Sequence, residues 1–209
     1  MNASVHLLRE SLRSSVHLRT LVQAGHSSIP ILGNERMGAG TVIEPYGIVI
    51  TAHYLVVGAA KVEVSPLQGE LVEGHVVGID YLAGLAAIHV GSGRLPGLEV
   101  REVGPGVVGE EAFLIASVGE ERRVSNGLVT SYAPFEAFWE YRVEHGLTCS
   151  AASAGLGGGP LVDARGRMLG VVSMSLAEVG KFTFAVPAWD ANPMLEKIAQ
   201  DGSYTAANP

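Results

Sequence analysis

Short apolar and β-rich runs recur along most of the chain, and glycine or proline separates one run from the next. Runs in the first half include Ser15-Val-His-Leu, Thr41-Val-Ile, Ile48-Val-Ile, Val62-Glu-Val and Ala86-Ala-Ile-His-Val. Runs in the second half include Ala112-Phe-Leu-Ile-Ala, Gly127-Leu-Val-Thr-Ser, Met168-Leu-Gly-Val-Val and Phe182-Thr-Phe-Ala-Val. The first of these runs, extended to Val22, alternates between polar and apolar residues, as a strand that is buried on one face does. Closely spaced turns between such strands favour an antiparallel all-β barrel or sandwich.

Helical spacing occurs only near the two ends of the chain. Residues 4–13 repeat apolar positions at helical spacing and predict a short amphipathic helix. Near the other end, Asn192 is followed by Pro193, which suits the first helical position, so we expect a helix over 189–200. Residues 201–209 are expected to be a frayed tail.

The elements fit one domain of 209 residues, built as two halves. We place a first barrel at about 15–90, a crossing segment rich in glycine and proline at 91–109, and a second barrel at 110–188. The formal net charge is −7, and the basic residues form no cluster along the chain. Sequence-independent binding of nucleic acid needs a clustered basic surface, so we expect no nucleic-acid partner.

The compartment is left open by the sequence. Cys149 is the only cysteine, which excludes a disulfide within the chain and allows either a reducing compartment or an exported domain without bridges. Charged residues interrupt the first segment where a signal peptide needs an apolar core, and we find no apolar run long enough to span a membrane. If Met1 is the natural start, a cytoplasmic location is favoured. The histidines lack spacing of the His-x₃-His kind, so we expect neither a metal site nor another cofactor.

Three segments of the chain resemble the protease domain of the HtrA/Deg group of trypsin-like serine proteases. Gly38-Ala-Gly-Thr-Val-Ile-Glu-Pro-Tyr-Gly-Ile-Val-Ile-Thr-Ala-His-Tyr54 resembles the family stretch Gly-Ser-Gly-Phe-Val-Ile-Asp-Pro-Asp-Gly-Tyr-Ile-Leu-Thr-Asn-Asn-His. Val76-Val-Gly-Ile-Asp-Tyr-Leu-Ala-Gly-Leu-Ala-Ala-Ile-His-Val90 is similar to Val-Val-Gly-Tyr-Asp-Pro-x-Thr-Asp-Leu-Ala-Val-Leu-Lys-Val. Gly155-Leu-Gly-Gly-Gly-Pro-Leu-Val162 is similar to the nucleophile loop Gly-Asn-Ser-Gly-Gly-Pro-Leu-Val. The resemblance implies a double six-stranded β-barrel with short helices at both ends.

In these ungapped registers the catalytic positions of the family carry other residues. The base histidine falls on Tyr54, the orienting aspartate on Gly84 and the nucleophilic serine on Gly157. Glycine supplies neither an oxygen nor a carboxylate in its side chain, and tyrosine, with a pKa of about 10, is a poor proton acceptor at neutral pH. We therefore expect no catalytic residues and no enzymatic activity, with the three positions as remnants of a triad.

Two alternatives to an inactive homologue stay open. One is an active serine-type endopeptidase with rearranged groups, in which His53 is a displaced base and Ser150, Ser153 or Cys149 supplies the nucleophile. Cys149 has a competing interpretation as a small buried residue. The other alternative is a chaperone-like assembly scaffold, because members of the group often trimerise. Residues 1–30 lack the aromatic contacts that would support a trimer, so the sequence gives a homo-oligomer no support.

The expected function is a protein-binding, peptide-binding or structural subunit. The resemblance implies a remnant of the oxyanion hole at Gly155 and Gly157 and a peptide-binding strand at Thr183, Phe184 and Ala185, since Thr183-Phe-Ala-Val-Pro187 resembles the family's Gly-Phe-Ala-Ile-Pro. The ring of Tyr54 would project into the same cleft and could plug it. The chain ends where a PDZ module would begin, so none is expected.

A cluster of aromatic residues is the second candidate partner surface. Its members are Phe135, Phe138, Trp139 and Tyr141. Aromatic side chains gathered on one hairpin are either part of the core or a binding surface, where such residues are enriched.

Overall fold

The fold is described from a computed structural model, in which most strands lie on the apolar runs and a helix lies near each end of the chain, as the sequence predicts. The described residues are 3–44, 46–91, 95–137, 141–152, 157–175 and 182–205, with residues 3–8, 137, 141 and 175 described by their backbone.

Six strands of the first half close into a barrel. They are β1 (Ser15–Val22), β2 (Glu35–Ile43), β3 (Ile48–Ala52), β4 (Ala59–Ser65), β5 (Val72–Asp80) and β6 (Leu85–Val90). The order across the sheet is β5-β4-β1-β2-β3-β6, and antiparallel pairing of β5 with β6 closes the ring. Alternate residues therefore point inward, and the largest inward side chains, among them Leu18, Ile50 and Ile88, are almost completely buried.

The second half forms another closed barrel of six strands. They are β7 (Glu111–Val118), β8 (Glu121–Ala137), β9 (Tyr141–Cys149), β10 (Pro160–Asp163), β11 (Met168–Ser175) and β12 (Thr183–Pro187). The order around the ring is β10-β11-β12-β9-β8-β7. One hydrophobic cluster includes Leu18 and Ile50 of the first barrel together with Ile115 and Phe184 of the second. The predicted double six-stranded barrel is confirmed.

Short helices lie at both ends of the chain, as expected. They are α1 (Ala3–Ser14) and α3 (Asn192–Asp201), the second ending at Gly202 in the left-handed conformation. A further short helix that the sequence analysis did not predict, α2 (Ile29–Leu32), lies between β1 and β2. The prediction of a frayed tail is wrong in part, because β13 (Tyr204–Thr205) pairs in parallel with β5. The tail is polar, and its pairing depends on the distant strand β5, so the local pattern gave no signal for it.

Within the described ranges, none of the helices combines the length and the apolar character that a bilayer crossing requires.

Candidate functional site

The candidate site lies where a 3₁₀ helix after β3, His53–Leu55, meets the glycine loop that leads into β10. The hydroxyl of Tyr54 donates a hydrogen bond to the carbonyl oxygen of Ser173 on β11, at 2.9 Å. A Cβ atom at Gly157 would lie 2.1 Å from the Tyr54 hydroxyl oxygen. The backbone N–H of His53 donates to the carbonyl of Gly84 at 3.0 Å. The structure thus brings Tyr54 against Gly157, and it places Gly84 beside the residue that precedes Tyr54.

The glycine loop is held by main-chain hydrogen bonds to both barrels. The carbonyl of Gly157 accepts from the N–H of Ala39 at 2.8 Å, and the N–H of Gly158 donates to the carbonyl of Val172 at 2.6 Å. Gly158 has a φ of +90°, and a Cβ there would lie 2.0 Å from the carbonyl oxygen of Ala39. Glycine is therefore required at 158 both by the backbone conformation and by the close approach of β2.

The side chain of Arg36 binds the backbone of the 3₁₀ helix. Its guanidinium donates to the carbonyl oxygens of Tyr54 at 2.6 Å and Val57 at 2.9 Å, and to the hydroxyl of Ser28 at 2.5 Å. The residue is 5% exposed. Burial lowers the pKa of Arg36 from its usual value, although an arginine stays charged. A buried cation thus fixes the turn that carries Tyr54.

His53 is half-buried between two aromatic rings. Its ring meets those of Tyr54 and Tyr81 edge-on, with centroids 6.2 Å and 5.9 Å apart. Burial lowers the pKa of His53, against smaller opposing effects of the Gly84 carbonyl and the charge of Asp80. The imidazole is therefore mainly neutral at pH 7, which is the form that accepts a proton.

Asp80 serves the turn between β5 and β6. Its carboxylate accepts hydrogen bonds from the backbone N–H groups of Leu82 and Ala83 at 3.0 and 2.9 Å.

The described part of the chain contains no group of three or more histidine, cysteine, aspartate or glutamate side chains arranged to hold a metal ion.

The structure corrects the predicted position of the peptide-binding strand. Thr183, Phe184 and Ala185 lie on β12, which pairs with β11 on one edge and with β9 on the other. Their side chains are at most 1% exposed. A peptide cannot add to a strand whose edges are both paired, so these residues do not form an edge for binding. The apolar pattern predicted a strand here, but it could not show which strand of the hairpin borders the cleft.

The other predicted positions divide into those inside and outside the described ranges. Gly155, Ser153, Phe138 and Trp139 lie outside the described residues, and so does the side chain of Tyr141. Phe135 is half-buried, and its ring stacks on Phe184 at a centroid distance of 4.0 Å, so this member of the aromatic cluster packs against the core.

The surroundings of Cys149 and Ser150, two of the proposed substitute nucleophiles, suit structural roles. Cys149 is buried, and burial raises the pKa of its thiol, which disfavours the reactive thiolate. The hydroxyl of Ser150 accepts the N–H of Leu128 at 3.0 Å, on the β8 side of the second barrel.

Sequence reasoning missed Arg36 and Ser173. The alternation at the start of β2 could have identified Arg36. Arg36 and Gly38 are buried on one face of the strand, and Glu35 and Met37 are exposed on the other. Ser173 becomes part of the site through a contact with a residue 119 positions away, and the sequence carries no local signal for that.

Curated relatives of the chain are serine proteases by name. A protein of Synechocystis sp. named "Putative serine protease HhoA" is 30% identical over 187 residues, which cover 84% of this chain and 47% of the relative. The serine endoprotease DegS of Haemophilus influenzae is 23% identical over 197 residues, which cover 90% of this chain and 57% of the relative. The chain therefore spans about half the length of these relatives.

These names contradict the sequence-based expectation that the chain is not an enzyme. That expectation used the residue identities at 54, 84 and 157 alone. The comparison relates the whole chain to proteins named as serine proteases and endoproteases. Three residue identities are accordingly insufficient to assign a lack of activity.

Solved structures and a family model agree with the double barrel. The HtrA-type protease AlgWS227A with tripeptide has a TM-score of 0.78 at 19% identity, covering 96% of this chain and 64% of that one. The serine endoprotease from Yersinia pestis has a TM-score of 0.73 at 20% identity, covering 97% and 69%. At these identities the likeness establishes the fold. The model of the trypsin-like peptidase domain matches residues 38–171, which is more than half of the chain. This chain belongs to the family of trypsin-like peptidase domains and is of the HtrA type.

Proposed function

We propose that this domain binds extended polypeptide segments along the outer edge of β11, at the junction of the two barrels. The observation that carries the proposal is the unequal pairing of this strand. β10 pairs with β11 only from Val162 to Pro160, and Pro160 lies opposite Val171. Residues 173–175 extend past that point. On the side facing away from β12, no strand among the described residues pairs with them.

An open strand edge is a binding site for extended peptide, because the added chain supplies the missing hydrogen-bond partners. Gly157 lies beside this edge, and a Cβ there would lie 2.9 Å from the carbonyl oxygen of Ser173. Polypeptide is also the substrate class that the names of the serine-protease relatives imply, which supports the same choice of ligand.

The names of these relatives favour a second candidate function, peptide-bond hydrolysis by rearranged catalytic groups. Gly157 has no oxygen, so hydrolysis by this domain requires a nucleophile from another residue or from water. The side chain that suits a general base is His53, whose imidazole is neutral at pH 7 and lies beside Tyr54.

One preparation tests both functions. Fluorescein-labelled unfolded casein is titrated with the protein, and anisotropy reports binding while gel electrophoresis reports cleavage. We expect binding in the micromolar range, and the absence of binding up to about 100 µM would refute the proposed polypeptide site. Hydrogen exchange locates the contact, because the amides of residues 173–175 should gain protection on binding while those of β1 should not.

The hydrolysis candidate makes a separate prediction. If fragments appear, His53→Gln should reduce their rate about 100-fold or more and leave casein binding intact. A fluorophosphonate probe followed by peptide mapping would then identify the nucleophile. Intact casein after prolonged incubation, together with no labelled serine, would count against hydrolysis alone.

A further inference from the structure

A bulge in β11 leaves one residue out of the pairing with β12. Val172 pairs with Ala185 and Met174 pairs with Phe184, so Ser173 has no partner residue on β12. A bulged residue is left out of the ladder of its strand pair. The carbonyl of Ser173 instead accepts the hydroxyl of Tyr54 at 2.9 Å.

That carbonyl lies on the edge proposed to receive a polypeptide. The carbonyl of the preceding residue, Val172, is already taken by the N–H of Gly158, and the N–H of Val172 donates to Gly159. Ser173 is therefore the first residue beyond the glycine loop whose carbonyl could accept a hydrogen bond from an added strand. In the structure Tyr54 supplies this hydrogen bond.

Tyr54 is positioned firmly for this contact. The guanidinium of Arg36 binds the carbonyl oxygens of Tyr54 and Val57, which fixes the backbone that carries the ring. On the other side of the hydroxyl, the Cα of Gly157 comes so close that an added Cβ would overlap the hydroxyl oxygen. The hydroxyl thus fills the space between the glycine loop and β11.

We propose that Tyr54 gates the outer edge of β11. Its hydroxyl occupies the acceptor that the first N–H of an incoming polypeptide needs, so the hydroxyl must leave Ser173 before the polypeptide can pair there. This inference rests on the proposed polypeptide-binding function. The gate needs no movement of either barrel, because rotation of one side chain exposes the carbonyl.

Opening the gate breaks the hydrogen bond from the Tyr54 hydroxyl to the carbonyl of Ser173. A variant without the hydroxyl binds without that loss, and the net value of a single hydrogen bond corresponds to an affinity gain of about threefold to tenfold. Tyr54→Phe removes the donor and keeps the ring, which isolates this contribution from packing. The exposed residue Tyr46, in the turn between β2 and β3, offers a matched loss of a hydroxyl away from the junction.

Anisotropy titration of fluorescein-labelled unfolded casein tests the gate with the wild-type chain, Tyr54→Phe and Tyr46→Phe. We expect Tyr54→Phe to bind about threefold to tenfold more tightly and Tyr46→Phe to match the wild type. Tyr54→Leu is a second variant without the hydroxyl and should bind at least as tightly as Tyr54→Phe. Circular dichroism spectra show that each variant is folded.

The possible results separate the gate from the proposed function. Measurable and equal binding by all variants would overturn the gate and leave the polypeptide site intact. Weaker binding by Tyr54→Phe would also overturn it, since the hydroxyl would then contact the polypeptide favourably. No binding by any of the proteins would overturn both proposals.

Discussion

Around the candidate site the two barrels contribute different groups to their junction. The first barrel contributes side chains: the hydroxyl of Tyr54, the guanidinium of Arg36 and the hydroxyl of Thr51, which donates to the carbonyl of Ala39 at 2.7 Å. The second barrel contributes main-chain groups, from Gly157 and Gly158 to the carbonyl of Ser173.

This difference predicts opposite sensitivities to substitution. On the side of the first barrel, removal of a side chain leaves polar groups without partners, and each such group costs about 1–3 kcal/mol when buried. On the second-barrel side of the candidate site the groups in contact belong to the main chain, so the damage comes from an added Cβ. The contrast can be tested by adding atoms on one side and removing them on the other.

The largest effect is expected for Gly158→Ala. Its φ of +90° strains any residue with a side chain, and its Cβ would lie 2.0 Å from the carbonyl oxygen of Ala39 and 2.5 Å from the hydroxyl of Thr51. Strain and overpacking together should lower the free energy of unfolding by about 4 kcal/mol, measured by urea denaturation. Gly25→Ala is the matched control, because Gly25 has a φ of +79° and nothing within 4 Å of the added Cβ. The control should lose about 1 kcal/mol. Similar losses in both variants would contradict the importance of the close approach.

A smaller effect is expected for Arg36→Met in the first barrel. The substitution keeps much of the apolar stem and removes the donors to the carbonyls of Tyr54 and Val57. We expect a loss of about 2 kcal/mol in the free energy of unfolding, because relief from burying a charge offsets part of the loss of hydrogen bonds. The control is Arg123→Met, whose guanidinium forms an exposed ion pair with Glu121 at 2.8 Å. It should lose about 0.5 kcal/mol or less. If Arg36→Met is no more destabilised than the control, the buried guanidinium does not fix the turn.

The sequence predicted the barrels better than the junction. Strands such as β4 follow directly from alternation. Val62 and Val64 are buried, while the polar residues that flank each of them are more exposed. The ungapped resemblance also predicted which segments meet, and Tyr54 does lie against Gly157. Both results depend on patterns that are local in the chain.

The missed features depend on contacts between distant parts of the chain. The apolar pattern of Thr183 to Ala185 predicted a strand. It could not predict that β9 and β11 pair with both edges of this strand. The bulge at Ser173 has no signature in its own residues, and the contact of its carbonyl with Tyr54 joins the two barrels. Hydrogen bonds of this kind are set by the packing of whole elements, which periodicity does not encode.

The smallest effect is the coupling between Tyr54 and Gly157, which joins the two sides of the junction. Gly157→Ala should lower the free energy of unfolding by about 2 kcal/mol, because the added Cβ overlaps the Tyr54 hydroxyl and lies 2.9 Å from the carbonyl oxygen of Ser173. In the background of Tyr54→Phe the hydroxyl is gone, and the ring carbon that carried it lies 3.4 Å from the Cβ position, an ordinary contact. Gly157→Ala should therefore lower the free energy of unfolding by about 1 kcal/mol less in the Tyr54→Phe background than in the wild type. A double-mutant cycle by urea denaturation measures this difference. Strict additivity would mean that the ring and the loop adjust independently. A positive coupling would mean that the glycine at 157 and the tyrosine at 54 are a matched pair, in which one residue leaves the space that the other fills.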